Sequence, residues 1–324
     1  MTYAAPPYIA SKYLHSDSLY AALALDSYSR GYGAKLHAVG DSNALLLATP
    51  NKDLGLAQVI FDSAALGFDG SDFRDEQVGF HAVAYKVDGE VVISYRGSDQ
   101  LFWDDMGTVA NIGAGNVDDH VRLALEFYNL VQDKIVNTPS LSGLPIITVG
   151  HSLGGALAGI VASVKKTAGL MFDNTGFEWA AETVMDAALG PNADLELAEL
   201  IFRGQPSWTE AEATSLKTMS LTHDVAGIFF RGPQLAHQDT TLDLGNYVLV
   251  PGWDSPNAHI QSLLAYRLLL KEKFGSDMNW EQAASQIITP LMDDVLASDI
   301  GILASQFGSA KSGVLKDMIS QTII

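Results

Sequence analysis

The stretch Ile146-Ile147-Thr148-Val149-Gly150-His151-Ser152-Leu153-Gly154-Gly155 decides the architecture. Its first four residues are apolar or β-branched, which reads as a short strand buried on both faces. Gly154, Gly155, Ala156, Ala158 and Gly159 follow, and 153–166 reads as a helix. Between them stands the pattern Gly-x-Ser-x-Gly. Alone it is weak. Here a buried strand precedes it and a helix rich in small residues follows, as a sharp strand-to-helix turn requires where two backbones nearly touch. Such a turn lifts the Ser152 side chain above the carboxyl end of a sheet. The helix N-terminus and the Leu153 N–H then face any oxyanion formed there.

Working outward, 16–29 reads as a helix capped by Ser16 or Asp17, with a stripe of Leu19, Ala22, Leu23 and Tyr28. Residues 78–95 read as a hairpin, with Asp88-Gly89 predicting a type I′ turn. Val117 to Ile135 has the period of an amphipathic helix. Strand-like segments recur at Gly169–Phe172, Thr218–Leu221 and Tyr247–Val250, and helical patterns at 177–202 and 258–274. Strands alternating with helices predict an α/β fold: a mostly parallel sheet with helices on both faces. Residues 1–275 read as one such domain with a helical insertion at about 175–216. Residues 276–324 read as a helical C-terminal extension broken by Gly301, Gly308 and Gly313.

Composition narrows the function classes. With 48% hydrophobic and 18% charged residues the chain is not disordered. Without cysteine there is no disulfide framework, and the redox compartment stays open. A net charge of −19 disfavours nucleic acid and anionic membrane surfaces as partners. The most apolar window, Leu263 to Leu270, is interrupted by Arg267 and predicts no transmembrane segment. The N-terminus lacks the pattern of a signal peptide. Export is therefore expected only by a route that reads no such signal, and otherwise a cytoplasmic location. No His-Glu-x-x-His, cysteine–histidine cluster or P-loop is present, so no metal is expected. Asp69, Asp72 and Asp75 read as a solvated acidic loop.

A serine needs a base to become a nucleophile, and the base needs an orienting acid. In the sheet that carries this turn, the chain order is serine, acid, histidine. Three histidines follow Ser152. His259 opens a helix after the last strand-like segment and is the first choice. His237 lies in a polar loop among Gln234, Gln238 and Asp239, and His223 directly precedes Asp224. For the acid, Asp224 follows an apolar strand; Asp173 also ends a strand and competes, with a helix N-cap as its plain reading. His120 reads as a helix-surface residue and His151 as packing at the turn. In Val91-Val92-Ile93-Ser94-Tyr95-Arg96-Gly97-Ser98, the Ser98 N–H is the candidate second oxyanion donor beside Leu153. Arg96 reads as structural.

The pair Tyr95-Arg96-Gly97-Ser98 and Gly150-His151-Ser152-Leu153-Gly154-Gly155-Ala156-Leu157-Ala158 resembles the class 3 (fungal-type) lipases over about residues 76–260. Ser18-Leu19-Tyr20-Ala21-Ala22-Leu23-Ala24 looks like the N-terminal stretch of bacterial members. The resemblance implies an α/β-hydrolase fold, cleavage of ester bonds in triacylglycerols or phospholipids at a lipid–water interface, and no cofactor. It also implies an amphipathic lid after Ser98. There Phe102, Trp103, Met106, Val109 and Ala110 share one helical face, and Asp104, Asp105, Thr108 and Asn111 the other; a fixed core helix is the alternative. One departure is Phe172-Asp173-Asn174-Thr175 where the family has a Gly-x-Pro turn. The alternative functions are hydrolysis or transacylation of smaller esters, and a non-catalytic lipid- or protein-binding module on the same scaffold.

Overall fold

A computed structural model describes residues 17–29, 57–63, 80–97, 112, 119–174, 176–203, 215–221, 238–242 and 268. Among them, seven strands form one sheet in the order of the chain. These are β1 (Ala57–Asp62), β2 (Ala82–Val87), β3 (Glu90–Tyr95), β4 (Ile146–His151), β5 (Ala168–Phe172), β6 (Ser215–Leu221) and β7 (Gln238–Leu242). The helices are α1 (Asp17–Ser29), α2 (Asp119–Asn137), α3 (Leu153–Lys165), α4 (Glu178–Leu189) and α5 (Leu195–Phe202). The sheet is mixed: β1, β2 and β3 pair antiparallel, and β3 through β7 pair parallel.

Each parallel strand lies beside its predecessor, so right-handed crossovers place α2, α3, α4 and α5 on one face. That face and its helices share one core, with Ala82, Ala84, Val91, Ile93 and Tyr95 from the sheet. The alternate residues of β2 and β3 point the other way, toward α1. There the Tyr85 hydroxyl donates to Asp26 at 2.7 Å and the Tyr20 hydroxyl donates to Glu90 at 2.7 Å. A buried carboxylate is tolerable only when hydrogen-bonded, and these tyrosines supply the donors.

All residues of β3 and β4 are buried, as a strand covered on both faces requires. Thr148 is accommodated in this strand because its hydroxyl donates to the Ala158 carbonyl at 2.9 Å. In α2, Val121, Ala124, Leu125, Tyr128, Val131 and Ile135 follow the helical period and are buried. Among the described residues no helix is long and apolar enough to cross a membrane.

Several expectations need correction. Leu19 through Ala24 are all buried, so α1 is enclosed over this stretch and shows no single apolar stripe. The hairpin closes with a positive φ at Gly89 (81°) and none at Asp88; type I′ requires two such residues. The pattern at 177–202 is two helices broken around Gly190-Pro191, since proline cannot supply a helical N–H. His120 is buried, not on the surface. The polar segment after His237 is partly strand: Gln238 and Asp239 begin β7, paired with Lys217 and Thr218 of β6. The strand-like Tyr247–Val250 and the helical 258–274 lie outside the described residues, apart from Leu268, which is buried.

The helices α4 and α5 pack on α2 and α3 through Phe177, Ala180, Ala181, Val184, Leu197 and Ile201. A polar cluster fixes the end of α5. Lys165 Nζ donates to Asn129 Oδ1 at 2.6 Å and to the carbonyls of Leu200 and Ile201 at 2.5 and 2.9 Å. It also lies 5.4 Å from the centre of the Tyr128 ring. A cation at a helix C-terminus meets unpaired carbonyls, which accounts for this geometry. Burial opposes the charge more strongly, and with the nearby Arg203 it lowers the Lys165 pKa to about 7; Asp133 offsets part of this. At the other end of α5, Asp194 caps Leu197 N–H at 3.0 Å and accepts from Arg122 at 2.5 Å. The Arg122 hydrogen bond and the Leu197 N–H hold its carboxyl below the usual carboxylate range.

Candidate active site

The strand β4 delivers its chain to Ser152 at the carboxyl edge of the sheet, and α3 begins at the next residue. Ser152 has φ 57° and ψ −125°. For a residue with a Cβ this backbone costs on the order of 1–3 kcal/mol and persists only where its surroundings impose it. The Ser152 N–H donates to the Phe172 carbonyl at 3.0 Å, and its carbonyl accepts from Ala156 N–H at 3.1 Å. The residue is thus fastened to β5 on one side and to the first turn of α3 on the other. Its side chain makes no capping hydrogen bond to the helix.

The glycines of the motif are required by contact. A methyl group on Gly150 would collide with the Gly154 carbonyl, and one on Gly154 with the Tyr95 carbonyl. One on Gly159 would stand 2.8 Å from the Phe177 ring, at the entrance to α4. Strand, turn and helix are pressed together until only hydrogen fits. Leu153 is the first residue of α3, so its N–H belongs to the first turn, where amides lack intrahelical partners. The positive end of the helix macrodipole adds to that donor.

A second strained residue lies beside the first. Asp173, at the exit of β5, has φ 41° and is fully buried. Its N–H donates to the Met219 carbonyl at 2.8 Å. The carboxyl edge therefore carries two adjacent left-handed residues, on neighbouring strand exits. Asp173 precedes α4 by several residues and does not cap it; Phe177 occupies that position.

On the other side, Tyr95 pairs in register with Gly150, which places the exit of β3 beside the turn. Arg96 and Gly97 are buried there, and Arg96 N–H donates to the His81 carbonyl at 3.0 Å. His151 is buried beside Ser152. Of the residues expected to act, Ser152 and Leu153 are brought together at the turn. Ser98, Phe102, Trp103, Met106, Asp224 and His259 lie outside the described residues, as do His223 and His237. In the sequence Ser98 follows Gly97 directly, and Asp224 stands three residues after the end of β6. Among the described residues no group of three or more metal-ligating side chains occurs.

Asp62, Ser63 and His81 cluster next to the β3 exit, and nothing in the local sequence marks them. Their contact depends on strand pairing, and β1 carries no local pattern that announces it.

No family model matches the chain. It is 30% identical over 117 residues to an extracellular phospholipase A1 of Serratia liquefaciens. That stretch is 36% of this chain and 34% of the relative, so the match spans about a third of the relative's length. Among solved structures it is similar to lipase II from Rhizopus niveus, with a TM-score of 0.36 and 11% identity. That likeness covers 65% of this chain and 73% of the lipase.

Proposed function

We propose that this chain is a serine carboxylic-ester hydrolase of the α/β-hydrolase fold, acting on lipids in the manner of class 3 lipases and phospholipases A1. The observation that carries the reading is the strained Ser152 at a strand-to-helix turn so tight that Gly150 and Gly154 admit no side chain. The domain would span 1–275, with 276–324 as an extension.

In this reading the Ser152 Oγ attacks the ester carbonyl carbon, and its proton passes to His259. Asp224 orients the imidazole and stabilises its charged form. The N–H groups of Ser98 and Leu153 hold the oxyanion of the tetrahedral intermediate. Collapse expels the alcohol, which takes the proton from His259. Water then attacks the acyl-enzyme with His259 again as base, releasing the fatty acid and restoring Ser152. Phe102, Trp103 and Met106 would form the apolar face of a lid over the acyl chain. The phospholipase A1 relative makes a phospholipid the first substrate to offer.

The test is a hydrolysis panel of phospholipids and triacylglycerols with defined acyl chains, beside a soluble short-chain ester. Release of fatty acid from aggregated long-chain lipid is expected. Hydrolysis of the soluble ester alone would leave the small-ester esterase reading. No hydrolysis of any ester would leave the binding module.

A further inference from the structure

The exit of β3 is held from two sides at one level of the sheet's carboxyl edge. On one side the Tyr95 carbonyl lies against Gly154 of the turn. On the other, the Arg96 N–H reaches the His81 carbonyl, one residue before β2. The position of Arg96-Gly97 thus depends on the peptide plane of His81.

That peptide belongs to a side chain locked in a buried polar cluster. The His81 ring is 4% exposed. Its Nδ1 is 3.4 Å from Ser63 Oγ, and its Nε2 is 3.8 Å from Asp62 Oδ1. Ser63 is tied to the same strand twice: its N–H donates to the Ala82 carbonyl at 2.9 Å, and its Oγ accepts from Ala82 N–H at 3.1 Å. Burial and the Nδ1 contact with Ser63 Oγ restrict the ring, and the adjoining Ala82 peptide is tied to the same Ser63.

The geometry points to His81 as a positioning residue for the oxyanion side of the site. Held through Ser63 with Asp62 alongside, it fixes the β3 exit that precedes Ser98 in the sequence. This role rests on the hydrolase reading above, because it acts through the Ser98 donor. A single oxyanion donor is worth roughly 10²–10³ in kcat, so a displaced donor loses part of that factor and leaves ground-state binding intact.

The experiment compares His81→Leu, His81→Gln and Ser63→Ala with the wild type on a soluble p-nitrophenyl ester, recording kcat, KM and Tm. His81→Leu is expected to lower kcat about 10- to 100-fold with KM within about twofold and Tm within a few degrees. Glutamine can still hydrogen-bond Ser63, so His81→Gln should recover most of that loss. Ser63→Ala should fall between the two. An unchanged kcat in His81→Leu overturns the role. So does a kcat loss matched by a collapse in Tm without recovery by glutamine. If His81→Leu fails to fold, Ser63→Ala decides: a several-fold loss of kcat at constant KM supports the role, and an unchanged kcat overturns it. A wild type that neither hydrolyses the ester nor reacts with a fluorophosphonate overturns the hydrolase reading, and this role with it. An active wild type with an equally active His81→Leu overturns the role alone.

Discussion

The turn at Ser152 and the helices α4 and α5 meet on α3, and they are held in opposite ways. At the turn the backbone is strained and the contacts are too close for any side chain. In the helical pair the backbone is ordinary; what is costly is a buried ammonium, Lys165, compensated by three acceptors and an aromatic ring. Strain of the first kind fixes where one side chain, that of Ser152, leaves the backbone. Burial of the second kind fixes the position of a whole helix. The difference teaches where each region is vulnerable: the turn to steric change, the helical pair to change in charge and pH.

The largest expected effect is at the turn. Ser152→Ala should lower ester hydrolysis by about 10⁴-fold or more, by analogy with triad knock-outs. Alanine fits the same backbone, so circular dichroism and Tm should stay close to wild type. A variant retaining a tenth of the activity would remove the turn from catalysis.

Gly154→Ala comes next. The added methyl meets the Tyr95 carbonyl, a backbone atom that cannot swing aside. Overpacking of this kind costs about 1–3 kcal/mol. Urea unfolding should show that loss, and activity should fall with it. A neutral outcome would mean that the turn is looser than its contacts indicate.

Lys165 sharpens the other half of the comparison. Its pKa is about 7 in the folded protein and about 10.4 in an unfolded chain. Between those values the unfolded chain binds more protons, so stability rises with pH. The contribution is complete above the unfolded value and is lost as pH falls through about 7. Wild-type stability should therefore rise between pH 7 and 10 relative to Lys165→Met, by an amount on the order of a few kcal/mol. Parallel profiles would show that the ammonium is not buried as described.

The smallest effect is at the N-terminus of α5. Asp194→Ala removes a cap and the Arg122 partner, and Tm should drop by a few degrees at neutral pH. The Asp194 carboxyl titrates below the usual range, so its contribution is present at neutral pH. The difference between variant and wild type should shrink as pH falls through that lowered value.

The same contrast explains what was legible in the sequence. The strand β4, the turn and α3 were readable because their determinants are local: an apolar run, glycines at fixed spacing, and small residues after them. The break at Gly190-Pro191 was visible but merged into one long apolar pattern. The strands β1 and β7 were not legible. The segment Gln238-Asp239-Thr240-Thr241-Leu242 has no apolar alternation, and it is a strand because β6 lies beside it. Nothing in the sequence around Lys165 marks it, since its acceptors come from Asn129 and from the far end of α5. Of the candidate site, Ser152 and Leu153 were legible from the motif. The cluster of Asp62, Ser63 and His81 was not, because strand pairing assembles it.

The most direct test of the central claim is reaction of the folded protein with a fluorophosphonate, followed by mass mapping of the digested chain. The account predicts one phosphonyl adduct, on the peptide bearing Ser152, and its disappearance in Ser152→Ala. A folded protein that takes up no adduct, or carries it on another residue with Ser152 unmodified, would contradict it.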